Sequence, residues 1–144
     1  MDYDSEGLLL LTDDNSIKHK LTDPKFEHSK TYLAQIERIP TDEALLALQT
    51  GIIIDGKKTK QAEVTLLMNE PNLPPRSVPI RFRKNVPTAW IKITLREGRN
   101  RQVRKMTAAV GFPTLRLIRI QIGNLGIGKL KPGEWKEITQ EEAL

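Results

Sequence analysis

The fold is most tightly constrained by residues 89–95, where aliphatic side chains occupy every second position from Ala89 to Leu95. A period of two is typical of a β-strand with one face in a hydrophobic core. The pattern becomes helical over residues 100–110, and Gly111 is placed to end that helix. The chain therefore has to combine a sheet with helices that pack on it.

Further elements are predicted along the chain. Thr41 can cap a helix that begins with two acids and ends at Gly51, and a shorter helix is predicted over residues 16–21. The predicted strands cover residues 8–12, 31–37, 52–54, 62–68, 89–95, 115–122 and 134–138. Residues 69–87 hold five prolines and are predicted to form a loop. This order indicates an α+β domain with a mixed, mostly antiparallel sheet flanked by helices.

The composition restricts the chemistry of a possible site. The chain has 144 residues, enough for one domain with a core of its own. It has no cysteine and two histidines, His19 and His28, so a cysteine-ligated zinc site is excluded and a histidine-rich metal centre is disfavoured. No apolar run approaches the roughly 20 residues of a membrane span. We expect a cytoplasmic protein without metal and without a membrane partner.

Positive charge is concentrated in one segment. The formal net charge is +5, and residues 96–119 contain seven cations against the single acid Glu97. A solvated helix face with internal ion pairs is the simpler explanation of such a cluster, but Glu97 alone could neutralise little of it. Cations at a helix start, where backbone N–H groups also favour anions, form good phosphate sites. The segment therefore predicts a surface that binds a polyanion.

Acidic residues precede a glycine at the start of the chain. Asp2, Asp4 and Glu6 come directly before Gly7, which leads into a predicted strand. Composition alone favours a solvated acidic terminus. Their position at a strand end also allows a carboxylate to point into a cleft. Both interpretations stay open on these residues alone.

The aromatic residues are few. Tyr32 fits a core position and a base-stacking position about equally well. Trp90 and Trp135 are predicted to pack in the core or to cover a face of the sheet. The glycines at 123, 126 and 128 do not join a strand to a phosphate-binding helix, so we interpret this segment as a turn.

Three blocks of the chain resemble one enzyme family. Residues 1–12 are similar to the pattern Gly-Arg-Leu-Asp-x-Asp-(Ser/Thr)-x-Gly-Leu of the RsuA/RluB/RluE/RluF ribosomal RNA pseudouridine synthases. Lys30-Thr31-Tyr32 matches the Lys-x-Tyr segment of that family, and its C-terminal signature is matched by residues 97–106, 109–111 and 117–119. Residues 79–81, 87–88, 90 and 111–119 resemble in particular the RluE-type large-subunit enzymes.

The resemblance implies a pseudouridine synthase fold with a central catalytic cleft and the isomerisation of uridine in ribosomal RNA, in this case 23S rRNA, without cofactor or metal. It implies Asp2 as the catalytic aspartate, Tyr32 as the aromatic against the target base, Arg104 as the basic partner of the aspartate and Leu117 as the floor of the pocket. The distance to Gly7 selects Asp2 and not Asp4. The residues expected to bind RNA are Arg96, Arg99, Arg101, Lys105, Arg116 and Arg119.

The family's Gly-Arg-Leu does not precede Asp2 in this sequence, and no S4-type RNA-binding domain is present in it. We therefore expect residues 1–144 to form one catalytic domain, monomeric and lacking its N-terminal part, and the sequence leaves open whether it is active without the missing segment. Two other classes remain: a non-catalytic RNA-binding module and a structural ribosome-associated protein. Whether Asp2 acts as nucleophile or as base at C2′ also stays open.

Overall fold

The computed structural model describes residues 3–23, 28–76 and 85–144. Its strands are β1 (Glu6–Gly7), β2 (Lys30–Glu37), β3 (Ile53–Ile54), β4 (Lys57–Lys58), β5 (Glu63–Leu66), β6 (Thr88–Leu95), β7 (Thr114–Ile122) and β8 (Leu125–Gly126). Its helices are α1 (Asn15–Thr22), α2 (Asp42–Thr50), α3 (Gln102–Ala109) and α4 (Gln140–Ala143). Asp2 and the family-like residues 79–81 lie outside the described residues, as does part of the predicted loop.

The main sheet has the strand order β1-β7-β2-β6-β5, with β8 paired to β7, and β3 and β4 form a separate hairpin. The pair β1–β7 is parallel, and the other pairs are antiparallel. The predicted mixed, mostly antiparallel sheet of an α+β domain is confirmed.

Both faces of the sheet carry buried hydrophobic residues, and one cluster is much larger than the other. One face carries Ala34, Ile91 and Leu117 and packs against residues of α2 and α3, among them Leu48 and Met106. We call it the helical face. The opposite face holds a smaller cluster built on Leu33, Trp90 and Ile118. Side chains alternate between the two faces along β2 and β6. The pairing of β7 with β2 shifts register between Thr31 and Tyr32 and between Gln35 and Ile36, so the face of a β7 residue follows from its partner on β2.

The helix ends follow the predicted signals. The side chain of Thr41 accepts a hydrogen bond from the backbone N–H of Ala44, and Asp42 and Glu43 occupy the first turn of α2. Gly51, at φ 111°, ends that helix. The helix predicted over residues 100–110 is α3, which begins after Arg101 in a left-handed conformation. Both predicted helices are confirmed, as is α1.

The strand predicted over residues 8–12 is wrong. The observed strand is β1, which begins two residues upstream, and its Gly7 pairs with Arg119 of β7. The last backbone hydrogen bond of this pairing runs from the N–H of Leu8 to the Arg119 carbonyl, at 2.8 Å. Leu8 is buried, but Leu9 and Leu11 beyond it are exposed. The apolar run therefore marks the end of a strand.

The strand predicted over residues 134–138 is also wrong. The Glu134 carboxylate accepts a hydrogen bond from the backbone N–H of Lys131, which makes a local turn, and Trp135 is 80% exposed and not in the core. A capping box between Thr139 and Glu142 then starts α4, which was not predicted. Trp90 is buried as expected, and the glycine segment after β7 is a turn that leads into β8. None of the described helices is long and apolar enough to cross a membrane.

Gly7→Ala tests the contact that anchors β1. Gly7 lies at φ 108°, and a Cβ atom there would overlap the backbone of Arg119. We expect the substitution to lower the free energy of unfolding by about 2 kcal/mol or more, as measured by urea denaturation.

The matched control is Gly56→Ala, which also has positive φ but has no atom within 4 Å of the added Cβ. We expect a loss of about 1 kcal/mol from backbone strain alone. Equal losses in the two variants would show that the close approach to Arg119 contributes nothing.

Candidate active site

The N-terminal acids reach the body of the protein through β1. Glu6 lies opposite Ile118 and Gly7 opposite Arg119, and the Nε of Arg119 donates to the Leu8 carbonyl at 2.9 Å. The absence of a side chain on Gly7 permits this close approach of two backbones. The segment therefore runs along β7 and brings Asp4 towards α3.

Asp4 is held by two arginines of the α3 region. Arg101 donates from both terminal nitrogens to the two carboxylate oxygens of Asp4, each at 3.0 Å. Arg104 donates to the backbone carbonyl of Asp4 at 2.9 Å, and its Nε lies 3.7 Å from one carboxylate oxygen. The hydrogen bonds from Arg101 are the main cause that lowers the pKa of the Asp4 carboxyl. The carboxylate is therefore ionised at neutral pH.

The expectation that only Glu97 could neutralise the basic segment is wrong. Glu97 instead accepts hydrogen bonds from the backbone N–H of Lys60 and from the side chain of Gln102, at 2.7 and 2.9 Å. The acids that pair with the cluster are distant in sequence, because the N-terminal segment up to β1, the β3–β4 hairpin and β5 deliver them. The pairs are Asp4 with Arg101 and Arg104, Glu6 with Arg116, Asp55 with Lys105 and Glu63 with Arg96.

Two of these cations serve mainly as structural ties. The Arg99 guanidinium donates to the carbonyls of Ile54 and Lys57, so it fastens the β3–β4 hairpin to the start of α3. Lys105 contacts the Asp55 carboxylate at 2.6 Å and thereby adds a second link to the hairpin. Their predicted contact with RNA stays a prediction.

The register of β2 and β7 places the predicted base-binding residues on the helical face. Leu117 lies opposite Ala34, and Arg119 lies opposite Tyr32. Leu117 is 5% exposed, whereas Tyr32 is half-buried and packs against the same cluster. An apolar floor with a partly open tyrosine ring beside it can hold a flat base.

Arg104 lies on α3, which packs on the helical face through Val103 and Met106. Its side chain is 14% exposed. The structure thus brings Tyr32, Leu117 and the helix that carries Arg104 to one face of the sheet.

Arg116 does not join this group. It lies opposite Gln35, which places it on the other face of the sheet. There it forms a bidentate ion pair with Glu6 at 2.8 and 2.9 Å and donates to the carbonyl of Pro74. Sequence reasoning missed the roles of Asp4 and Glu6 as partners of these arginines, since about 100 residues separate the members of each pair and no local pattern joins them.

Asp2 lies outside the described residues, so its predicted pairing with Arg104 stays a prediction. Among the described residues, no group of three or more acids and histidines could hold a metal ion. A depression of about 720 Å³ is lined by Thr139, Gln140, Glu141 and Leu144. It contains none of the predicted site residues, and we assign it no function.

Asp4→Asn tests the ion pair that joins β1 to α3. A folded-state pKa below the ordinary 3.8 means that the pair stabilises the fold above that pH and loses its contribution as the pH falls through the lowered value. Because the side chain is 41% exposed, we expect a modest loss at pH 7, about 1 kcal/mol in the free energy of unfolding. This difference from the wild type should shrink as the pH falls towards 3.

Asp13→Asn is the control, because Asp13 is exposed and makes no side-chain hydrogen bond or ion pair with the described residues. Urea denaturation at several pH values measures both variants. An Asp4→Asn difference that stays constant with pH would contradict the role given to this carboxylate.

Known proteins resemble the chain over almost its whole length. A family model described as RNA pseudouridylate synthase matches residues 1–109. The ribosomal large subunit pseudouridine synthase E of Xanthomonas campestris pv. campestris is 50% identical over 136 residues, which cover 94% of this chain and 73% of the relative. The protein of the same name from Vibrio vulnificus is 48% identical over 139 residues, which cover 96% and 59%. Ribosomal large subunit pseudouridine synthase B of Bacillus subtilis is 38% identical over 142 residues, which cover 99% and 53%.

A solved structure described as a crystal structure of pseudouridylate synthase has a TM-score of 0.80 with this fold at 30% sequence identity. The match covers 99% of this chain and 55% of the solved one. The chain therefore spans between about half and three quarters of the length of these relatives, and the fold implied by the three sequence blocks is confirmed. On these grounds the chain belongs to the RNA pseudouridylate synthase family of enzymes and is a RluE-like member of it.

Proposed function

We propose that this chain converts uridine to pseudouridine in large-subunit ribosomal RNA, with Asp2 as the catalytic aspartate. The observation that carries the proposal is the hold of Arg101 and Arg104 on Asp4. Two residues of extended chain span at most about 7 Å. Because Asp4 contacts Arg104, the chain length allows a residue two positions before Asp4 to reach the same guanidinium. The relatives from Xanthomonas campestris, Vibrio vulnificus and Bacillus subtilis are named large-subunit pseudouridine synthases, and these names support the class of RNA.

The reaction breaks the C–N glycosidic bond of a uridine, turns the uracil and joins its C5 to the sugar. C5 loses a proton and N1 gains one, so the product is an isomer of the substrate. The site must hold the detached base during the turn. Tyr32 offers a partly exposed ring for this purpose, and Leu117 offers an apolar surface on the same face. These contacts also offset part of the cost of taking the nucleotide out of its stack.

The carboxylate must be ionised to act either as a nucleophile at the sugar or as a base at C2′. A guanidinium beside it favours the ionised form, and we assign this role to Arg104, which already contacts Asp4. The other cations of α3 are largely neutralised by acids of the chain itself. Arg101 first positions the segment that carries the aspartate, Lys105 holds the β3–β4 hairpin, and both can then meet the RNA.

The location and assembly follow from the proposed substrate. We propose that the protein works in the cytoplasm, where ribosomal RNA is matured. One copy carries all four residues assigned to the reaction, so a monomer suffices.

Release of tritium from C5-labelled, unmodified large-subunit rRNA tests the activity. We expect release from this chain or from a version extended upstream with Gly-Arg-Leu, and a loss of at least about 10³-fold in the Asp2→Ala variant of whichever form is active. Release restored only by the extension would show that the upstream segment is needed.

Asp13→Ala is the matched control, because it removes an exposed carboxylate near the same segment and should leave release unchanged. An active Asp2→Ala variant would refute the assignment of the aspartate. RNA binding without release in every version would instead favour the non-catalytic module.

A further inference from the structure

Lys30 has an unusual environment for a lysine. It opens β2 between Leu95 of β6 and Ile122 of β7, and it is half-buried. Across residues 3–23, 28–76 and 85–144, no side chain or carbonyl accepts a hydrogen bond from its ammonium group, and no carboxylate pairs with it. Burial, and secondarily the charge of Arg119, lower the pKa of this group. A partly buried cation without a counter-charge is costly and calls for a functional explanation.

Arg119 is the charged residue whose positive charge acts on the Lys30 ammonium group. Its Nε donates to the Leu8 carbonyl at 2.9 Å, and in the described part of the chain its two terminal nitrogens have no acceptor and no acid within ion-pair distance. This contrasts with Arg101, Arg104 and Arg116, each of which contacts a carboxylate. Two neighbouring cations repel each other, and a bound anion would relieve that repulsion.

The two cations flank the tyrosine of the candidate site. Lys30 and Tyr32 are two residues apart on β2 and therefore share the helical face, and Arg119 lies opposite Tyr32 on β7. Gly98 leaves room for the ammonium group, because a Cβ atom there would lie 3.1 Å from the Lys30 Nζ.

Two acids of the described residues lie near Lys30, and both are engaged elsewhere. A cavity of about 20 Å³ is lined by Lys30, Asp23 and Glu97, among others. Glu97 accepts two hydrogen bonds from other residues, and Asp23 pairs with His19 at 3.2 Å. This volume suits a single water molecule and not a phosphate. The candidate position for a phosphate is therefore the side of Lys30 towards Arg119, which lies opposite Tyr32 on β7.

We propose that Lys30 and Arg119 form a phosphate subsite that takes a backbone phosphodiester of the RNA, next to the nucleotide that packs against Tyr32. The identity of the phosphodiester as RNA rests on the proposed function, whereas the anion site itself rests on the two cations alone. Contacts of this kind position the strand and carry no sequence information.

The first test uses inorganic phosphate and the wild-type chain. Lysine side chains labelled at ¹³Cε report their titration by NMR. We expect the midpoint of Lys30 to rise when phosphate is added, while Lys92, which is exposed on the opposite face of β6, stays unchanged. Equal responses of the two lysines, or none from Lys30, would overturn the subsite whether or not the protein binds RNA.

The second test compares Lys30→Gln with the matched control Lys92→Gln in binding of unmodified large-subunit rRNA fragments at several salt concentrations. We expect Lys30→Gln to weaken binding about ten-fold at low salt and to reduce the slope of log K against log salt by about one. Lys92→Gln should change neither, and Lys30→Arg should restore most of the affinity.

An unchanged slope in a folded Lys30→Gln variant, or an equal effect of Lys92→Gln, would contradict the role in RNA binding. If the wild type binds no RNA at all, the proposed function fails, and the NMR titration still decides whether the anion site exists.

Discussion

The parallel pairing of β1 with β7 is the contact on which the rest of the candidate site depends. It requires Gly7, because any side chain at that position would collide with the backbone of Arg119. Once the two strands are paired, the two acids of this segment lie in different surroundings, because Glu6 belongs to β1 and Asp4 lies in the turn before it. Glu6 meets Arg116 on one face of the sheet, while Asp4 meets Arg101 and Arg104 beside α3. A segment of three residues thereby ties together the sheet, the helix and the start of the chain.

The basic segment is consequently more neutral than its composition indicates. Several of its cations form ion pairs with carboxylates from the segment up to β1, from β5 or from the β3–β4 hairpin. The Arg99 guanidinium donates its hydrogen bonds to two backbone carbonyls. Such pairs cost little to rearrange where they are exposed, so some can exchange an internal acid for an RNA phosphate. Attraction for RNA then depends on cations such as Lys30 and Arg119, which form no ion pair with an acid in the described part of the chain.

Local patterns predicted much of the fold. The cap at Thr41, the stop at Gly51 and the alternation from residue 89 to residue 95 each depend on neighbouring residues and were interpreted correctly. The strand at residues 8–12 failed because hydrophobicity marks burial but does not say where backbone pairing ends, and that limit is set by contact with Arg119. The acids that pair with the arginines were not predicted, for a similar reason. Asp4 and Arg101 are joined only by the folded topology, whereas the family-like blocks around Tyr32 and Arg104 were visible in the sequence itself.

A crystal structure of the chain bound to a large-subunit rRNA fragment that carries 5-fluorouridine tests the central claim most directly. The account predicts the Asp2 carboxylate within about 4 Å of the Arg104 guanidinium, the ion-pair range, with the fluorinated base against Tyr32 and Leu117. A structure in which Asp2 points into solvent, and the base lies away from the helical face, would contradict it.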